Sequence, residues 1–91
     1  MTLTELYDII RDRQQTPTTT SYTASLFQKG EDAICQKVGE EAVEVILAAK
    51  GQGRERLIEE SADLAYHMLV LLAQQGVTPA DVLDELERRH R

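Results

Sequence analysis

Ninety-one residues with ten basic and sixteen acidic side chains carry a formal charge of −6. That length makes one domain, residues 1–91, and that sign argues against nucleic-acid backbones and anionic membrane surfaces as partners. Trp is absent and aromatics are 4% of the chain, so a base-stacking platform is not expected. The single cysteine, Cys35, excludes an intrachain disulfide and a cysteine-based zinc cluster; it reads as a small packed side chain. The start, Met1 to Glu5, lacks the basic-then-apolar pattern of a signal peptide. The longest apolar run, Met68 to Ala73, is far too short to span a membrane. A cytoplasmic protein is expected.

In chain order, Leu3 to Arg13 reads as a first helix with Leu3, Leu6, Tyr7 and Ile10 on one face, capped by Thr2 or Thr4. Gln14 to Thr20 is a linker, because Pro17 and a Thr cluster discourage helix. Ser21 to Lys29 reads as a short helix with Ser21 as cap and Leu26 and Phe27 buried, closed by Gly30. Glu31 and Asp32 open a long helix with the acidic first turn that the helix dipole favours, running to about Lys50. Gly39 inside it costs about 1 kcal/mol relative to Ala and is expected to permit close approach of another backbone or a ligand.

Gly51-Gln-Gly53 is a tight break, so the next helix, Arg54 to about Gln75, should return antiparallel and stop at Gly76. Thr78-Pro-Ala-Asp81 starts the last helix, with Thr as cap and Pro in the first turn. Asp84 with Arg88 and Glu85 with Arg89 are at i,i+4 spacing and should pair. The basic end, Arg88 to Arg91, reads as a dipole complement, with a phosphate-binding tail as the sharper alternative. No period-2 strand occurs. The fold class is all-α: four main helices and one short one, an antiparallel bundle.

Two carboxylate pairs organise the middle of the chain: Glu41-x-x-Glu44 and Glu60-x-x-Asp63. At about 100° per residue, Lys37, Glu41 and Glu44 share one stripe, and Arg56, Glu60, Asp63 and His67 share another. The remainder of both helices is apolar nearly all round, which reverses the proportions of an ordinary surface helix. Carboxylates so enclosed are costly unless paired or bound to metal. One such pair on a polar face would be merely solvated; two on helices this apolar favour a metal site. A chain this short cannot cover both helices, so a homodimer is expected, its interface continuous with the core.

Hard oxygen donors without thiol favour Mg²⁺ first and Mn²⁺ second. Mg²⁺ leaves coordination positions for phosphate and lets a negatively charged protein hold a polyphosphate. Lys37 and Arg56 are candidates for the phosphates, or for i,i+4 ion pairs with Glu41 and Glu60. Lys29 beside Gly30 is a weaker candidate. Glu40 and Glu59 lie beside the stripes as solvated neighbours or spare ligands. A lone His is more often a packed, hydrogen-bonded residue than a ligand, so His67 is given no catalytic role.

Beyond this reading, Ser21-Tyr-Thr-Ala-Ser-Leu, Lys29-Gly-Glu-Asp, Lys37-Val-Gly-Glu-Glu-Ala-Val-Glu44 and Glu59-Glu-Ser-Ala-Asp63 resemble phosphoribosyl-ATP pyrophosphohydrolase, the second enzyme of histidine biosynthesis. The likeness runs on through Val77-Thr-Pro-Ala-Asp81. The wider MazG-type nucleotide pyrophosphohydrolases share only the two acidic pairs. The resemblance implies hydrolysis of 1-(5-phosphoribosyl)-ATP at the α–β anhydride, Mg²⁺, and a homodimer. It implies Glu41, Glu44, Glu60 and Asp63 as metal ligands, Glu40 as helper or base, and Lys37 facing phosphate. Ser21, Tyr22, Thr23, Lys29 and Gly30 would lie near substrate. Many relatives carry a cyclohydrolase domain ahead of this one; with Met1 opening the first helix, that activity is expected to be absent. Thr16 to Thr20 departs from the stretch expected before Ser-Tyr-Thr. Two other functions compete: a housekeeping nucleoside-triphosphate pyrophosphohydrolase, and a non-catalytic helical dimerisation module with solvated acidic stripes.

Overall fold

The structure, a computed structural model, describes residues 1–90. Arg91, the last residue of the basic end, lies outside the described residues. Five helices follow one another: α1 (Leu3–Gln15), α2 (Tyr22–Lys29), α3 (Glu31–Gly51), α4 (Arg54–Gln74) and α5 (Pro79–Arg89). Among the described residues there is no strand. The all-α expectation holds, with α2 as the short helix.

The ends of the helices are set locally. Thr2 caps α1 and Thr78 caps α5, each through a reciprocal pair with the residue three positions on, Glu5 and Asp81. Ser21 caps α2 by accepting from the Ala24 amide at 3.1 Å. Gly30 ends α2 and starts α3 in one step at φ 96°, and Gly53 lets α4 begin at φ 90°. Both lie in the left-handed region, where a side chain would be strained.

α3 and α4 form an antiparallel hairpin with the most extensive helix pairing in the chain. α1 and α2 pack over it, and the core lies between: Tyr7, Ile10, Leu26, Ile34, Leu69, Val70 and Ala73. Ile10, Leu26, Ile34 and Val70 are wholly enclosed, each contributing about 1.5–3 kcal/mol by leaving water. The Tyr7 hydroxyl donates to the Val77 carbonyl at 2.8 Å, tying α1 to the segment before α5. Leu3 and Phe27 are less covered than their sequence positions suggest: Leu3 is exposed and Phe27 half-buried.

Three local expectations need correction. Cys35 is exposed rather than packed, because the covered side of its turn is taken by Ile34. Within the chain itself, the close backbone approach expected at Gly39 is not made: a Cβ there would meet no atom of the chain within 4 Å. Arg88 does not reach Asp84; it turns to Glu85, which also accepts from Arg89 at 2.8 Å. Spacings of three and four residues are equally near on a helix, so one carboxylate holds both guanidinium groups.

The apolar surface expected outside the core is present. Val43, Ile46 and Leu47 on α3 and Ile58 on α4 are about half exposed or more. Val82, Leu83 and Leu86 line an uncovered side of α5. No described helix is long and apolar enough to cross a membrane.

Candidate metal centre

The hairpin register builds the centre. Glu41 and Asp63 are equidistant along the chain from Gln52, and so are Glu44 and Glu60. Antiparallel return about that break therefore brings the two acidic segments to the same level. Carboxylate oxygens of Glu41, Glu60 and Asp63 lie within 4.8 Å of one another. Glu41 and Glu60 are buried, whereas Asp63 is exposed and gives the cluster an open side. Three hard oxygen donors on two rigid helices fit a small divalent cation. The donor set contains no sulfur and no imidazole nitrogen.

Each buried carboxylate has a cation one turn towards its own N-terminus. Lys37 Nζ stands 3.3 Å from Glu41, and Arg56 pairs with both Glu60 and Glu59. The Glu41 carboxylate raises the Lys37 ammonium above its ordinary value, and Glu59 and Glu60 do the same for Arg56. Without these partners, two enclosed negative charges facing a third would be costly. Lys37 and Arg56 remain a third to a half exposed, so both heads reach solvent on the open side.

Glu44 lies on the same face of α3 one turn beyond Glu41, exposed and outside the three-carboxylate group. Its charge nevertheless contributes to raising Arg56, which places it on the side facing α4. Glu40 is exposed and accepts from Gln36 at 3.2 Å. Lys29, exposed, and Gly30 sit at the α2–α3 junction.

The first turn of α2 reaches the centre by two links that helical spacing does not reveal. The Tyr22 hydroxyl lies 2.9 Å from His67 Nε2, and His67 Nδ1 lies 2.8 Å from the Asp63 carbonyl oxygen. Tyr22 is half exposed, with its ring against Tyr66 at 6.3 Å and edge-on to His67. Burial pushes the Tyr22 phenol up; Lys37 draws it down, and Tyr66, Glu41 and Asp63 push it up. Thr23 is buried, its hydroxyl bonded to that of Tyr66, so it braces α2 rather than facing solvent. Ser21 spends its hydroxyl on the α2 cap. His67 is packed and hydrogen-bonded, as a lone His in an apolar helix is expected to be.

The family model described as phosphoribosyl-ATP pyrophosphohydrolase matches residues 3–90. The phosphoribosyl-ATP pyrophosphatase of Pelotomaculum thermopropionicum is 54% identical over 87 residues, covering 96% of this chain and 89% of that protein. That of Saccharolobus solfataricus is 53% identical, covering 96% and 93%. That of Geobacter sulfurreducens is 54% identical, covering 96% and 81%.

Proposed function

Because the chain belongs to the phosphoribosyl-ATP pyrophosphohydrolase family, we propose that it hydrolyses 1-(5-phosphoribosyl)-ATP to 1-(5-phosphoribosyl)-AMP and pyrophosphate, the second step of histidine biosynthesis. The observation that carries the chemistry is the convergence of Glu41, Glu60 and Asp63. They would hold Mg²⁺, or Mn²⁺ in its place, with Glu44 as a fourth ligand on the open side. When bound, the cation would offset phosphate charge and lower the pKa of the attacking water.

The residues of the chain do the rest. With Glu41 and Glu60 holding the cation, Lys37 and Arg56 would be free to meet the phosphates of the substrate. Glu40, beside the ligand stripe, takes the proton from water as its oxygen attacks phosphorus. The anhydride P–O bond breaks and pyrophosphate leaves. Lys29, Gly30, Ser21, Tyr22 and Thr23 form or brace the wall on the α2 side.

Residues 1–91 act as one domain, supported by the single core that α1, α2 and α4 share with Ile34 of α3. The working unit is a homodimer, supported by the exposed Val43, Ile46, Leu47 and Ile58. Its place is the cytoplasm, where histidine precursors are made.

Pyrophosphate release by purified protein, with and without Mg²⁺, tests the reading. Phosphoribosyl-ATP is compared with ATP and the common deoxynucleotides. Mg²⁺-dependent release from phosphoribosyl-ATP alone is the expected result. Release from ordinary nucleotides would move the protein to the housekeeping hydrolases. No release from any of them, with a folded dimer, would leave a helical dimerisation module.

A further inference from the structure

His67 sits in neither the ligand set nor the phosphate-binding set, yet it joins them to α2. A carbonyl oxygen can only accept, so His67 Nδ1 carries the hydrogen in its 2.8 Å contact with Asp63. In the neutral ring Nε2 is then a lone pair, and the Tyr22 hydroxyl 2.9 Å away must donate to it. His67 is 6% exposed, so water does not compete for this bond. The Tyr22 proton is thereby turned inward, and its half-exposed oxygen is left with acceptor capacity only. That oxygen stands close enough to Lys37, Glu41 and Asp63 to feel their charges.

We propose that His67 is a positioning residue: it locks Tyr22 at the rim of the carboxylate cluster with its oxygen presented as a hydrogen-bond acceptor, to be met by a sugar hydroxyl of the bound nucleotide. The assignment rests on the function proposed above. Phosphate oxygens are acceptors and gain nothing from such an oxygen; ribosyl hydroxyls are the donors that a phosphoribosylated nucleotide carries in number. The lock therefore sorts the substrate, with phosphates towards Lys37 and Arg56 and a sugar towards Tyr22.

Three variants test this beside the wild type, whose turnover of phosphoribosyl-ATP in the same assay checks the underlying function independently. Tyr22→Phe removes the oxygen. His67→Asn keeps a donor for the Asp63 carbonyl but is too short to reach Tyr22. His67→Gln can place an amide oxygen near the position of Nε2. Tyr22→Phe and His67→Asn should each raise KM about fivefold to tenfold, the effect of one hydrogen bond. Their double variant should cost little more than either alone, and His67→Gln should recover part of the His67→Asn loss. Mg²⁺ affinity of the substrate-free protein, measured by calorimetry, should stay within about twofold of wild type in Tyr22→Phe, an exposed site where folding is not at risk. Unchanged KM in Tyr22→Phe overturns the proposal. So does a fall in Mg²⁺ affinity that accounts for the lost activity, because the link would then shape the carboxylates rather than read the substrate.

Discussion

Glu41 and Asp63, equidistant along the chain from Gln52, meet across the α3–α4 hairpin with carboxylate oxygens within 4.8 Å. Glu60 completes the group from inside. Three like charges at this range repel one another, and among the described residues Lys37 and Arg56 are the cations paired with them.

Removing one of these charges should separate activity from stability. Glu60→Gln and Glu41→Gln should each lower pyrophosphate release by about 100-fold or more, since a ligand is lost. In chelator the melting temperature of either variant should match or exceed that of wild type, because repulsion is relieved. Thermal unfolding in EDTA beside a turnover assay measures both. A clear loss of metal-free stability would mean that the carboxylates are structural.

Metal should stabilise the folded chain by mass action. At a free Mg²⁺ concentration of 100 times its dissociation constant, the gain is about 2.7 kcal/mol. Calorimetric unfolding should show the melting temperature rising with Mg²⁺ and not with NaCl at equal ionic strength. The rise should vanish in Glu60→Gln. An equal rise in that variant would place the cation elsewhere.

The apolar side of the hairpin should report on association. Ile46 and Leu47 are 60% and 49% exposed in the single chain. The double substitution Ile46→Glu with Leu47→Glu should convert the proposed dimer to monomer in sedimentation velocity. Each change puts a charge where a partner would have to desolvate it. A variant that stays dimeric would direct attention to the uncovered side of α5.

The last helix should loosen in acid. Arg88 and then Arg89 hold the Glu85 carboxyl below its ordinary value of 4.5. A depressed carboxyl contributes stability that is complete above the unfolded value and is lost as pH falls through the folded one. Amide exchange in α5 should therefore accelerate as pH is lowered below 4.5, after correction for the intrinsic pH dependence. Glu85→Gln should remove the extra acceleration, and high salt should shrink it, because the pair is exposed.

Much of this is legible in the sequence. Thr2, Ser21, Gly53 and Thr78 announce helix starts, and Gly30 and Gly76 announce ends, because capping and φ are local properties. The convergence of Glu41, Glu60 and Asp63 is legible for the same reason. Spacing within each helix puts the acidic pairs on one stripe, and the tight break at Gln52 makes the hairpin antiparallel. What was hidden depends on which neighbours arrive from far along the chain. Tyr22 with His67 and Thr23 with Tyr66 join α2 to α4 without a periodic signature. The exposure of Cys35 is hidden for a related cause: helical pattern marks a residue's turn, but not whether another element will cover it.

Gly53 has a kinetic consequence. By letting α4 start immediately after α3, it puts both buried carboxylates, Glu41 and Glu60, on one sequence-local hairpin, whose loop-closure entropy is small. Such a unit can pair before α1 and α5 dock, so the cation has a place to bind while the rest of the chain is still unfolded. Mg²⁺ should then accelerate refolding as well as retard unfolding, acting in the transition state and not only on the finished protein.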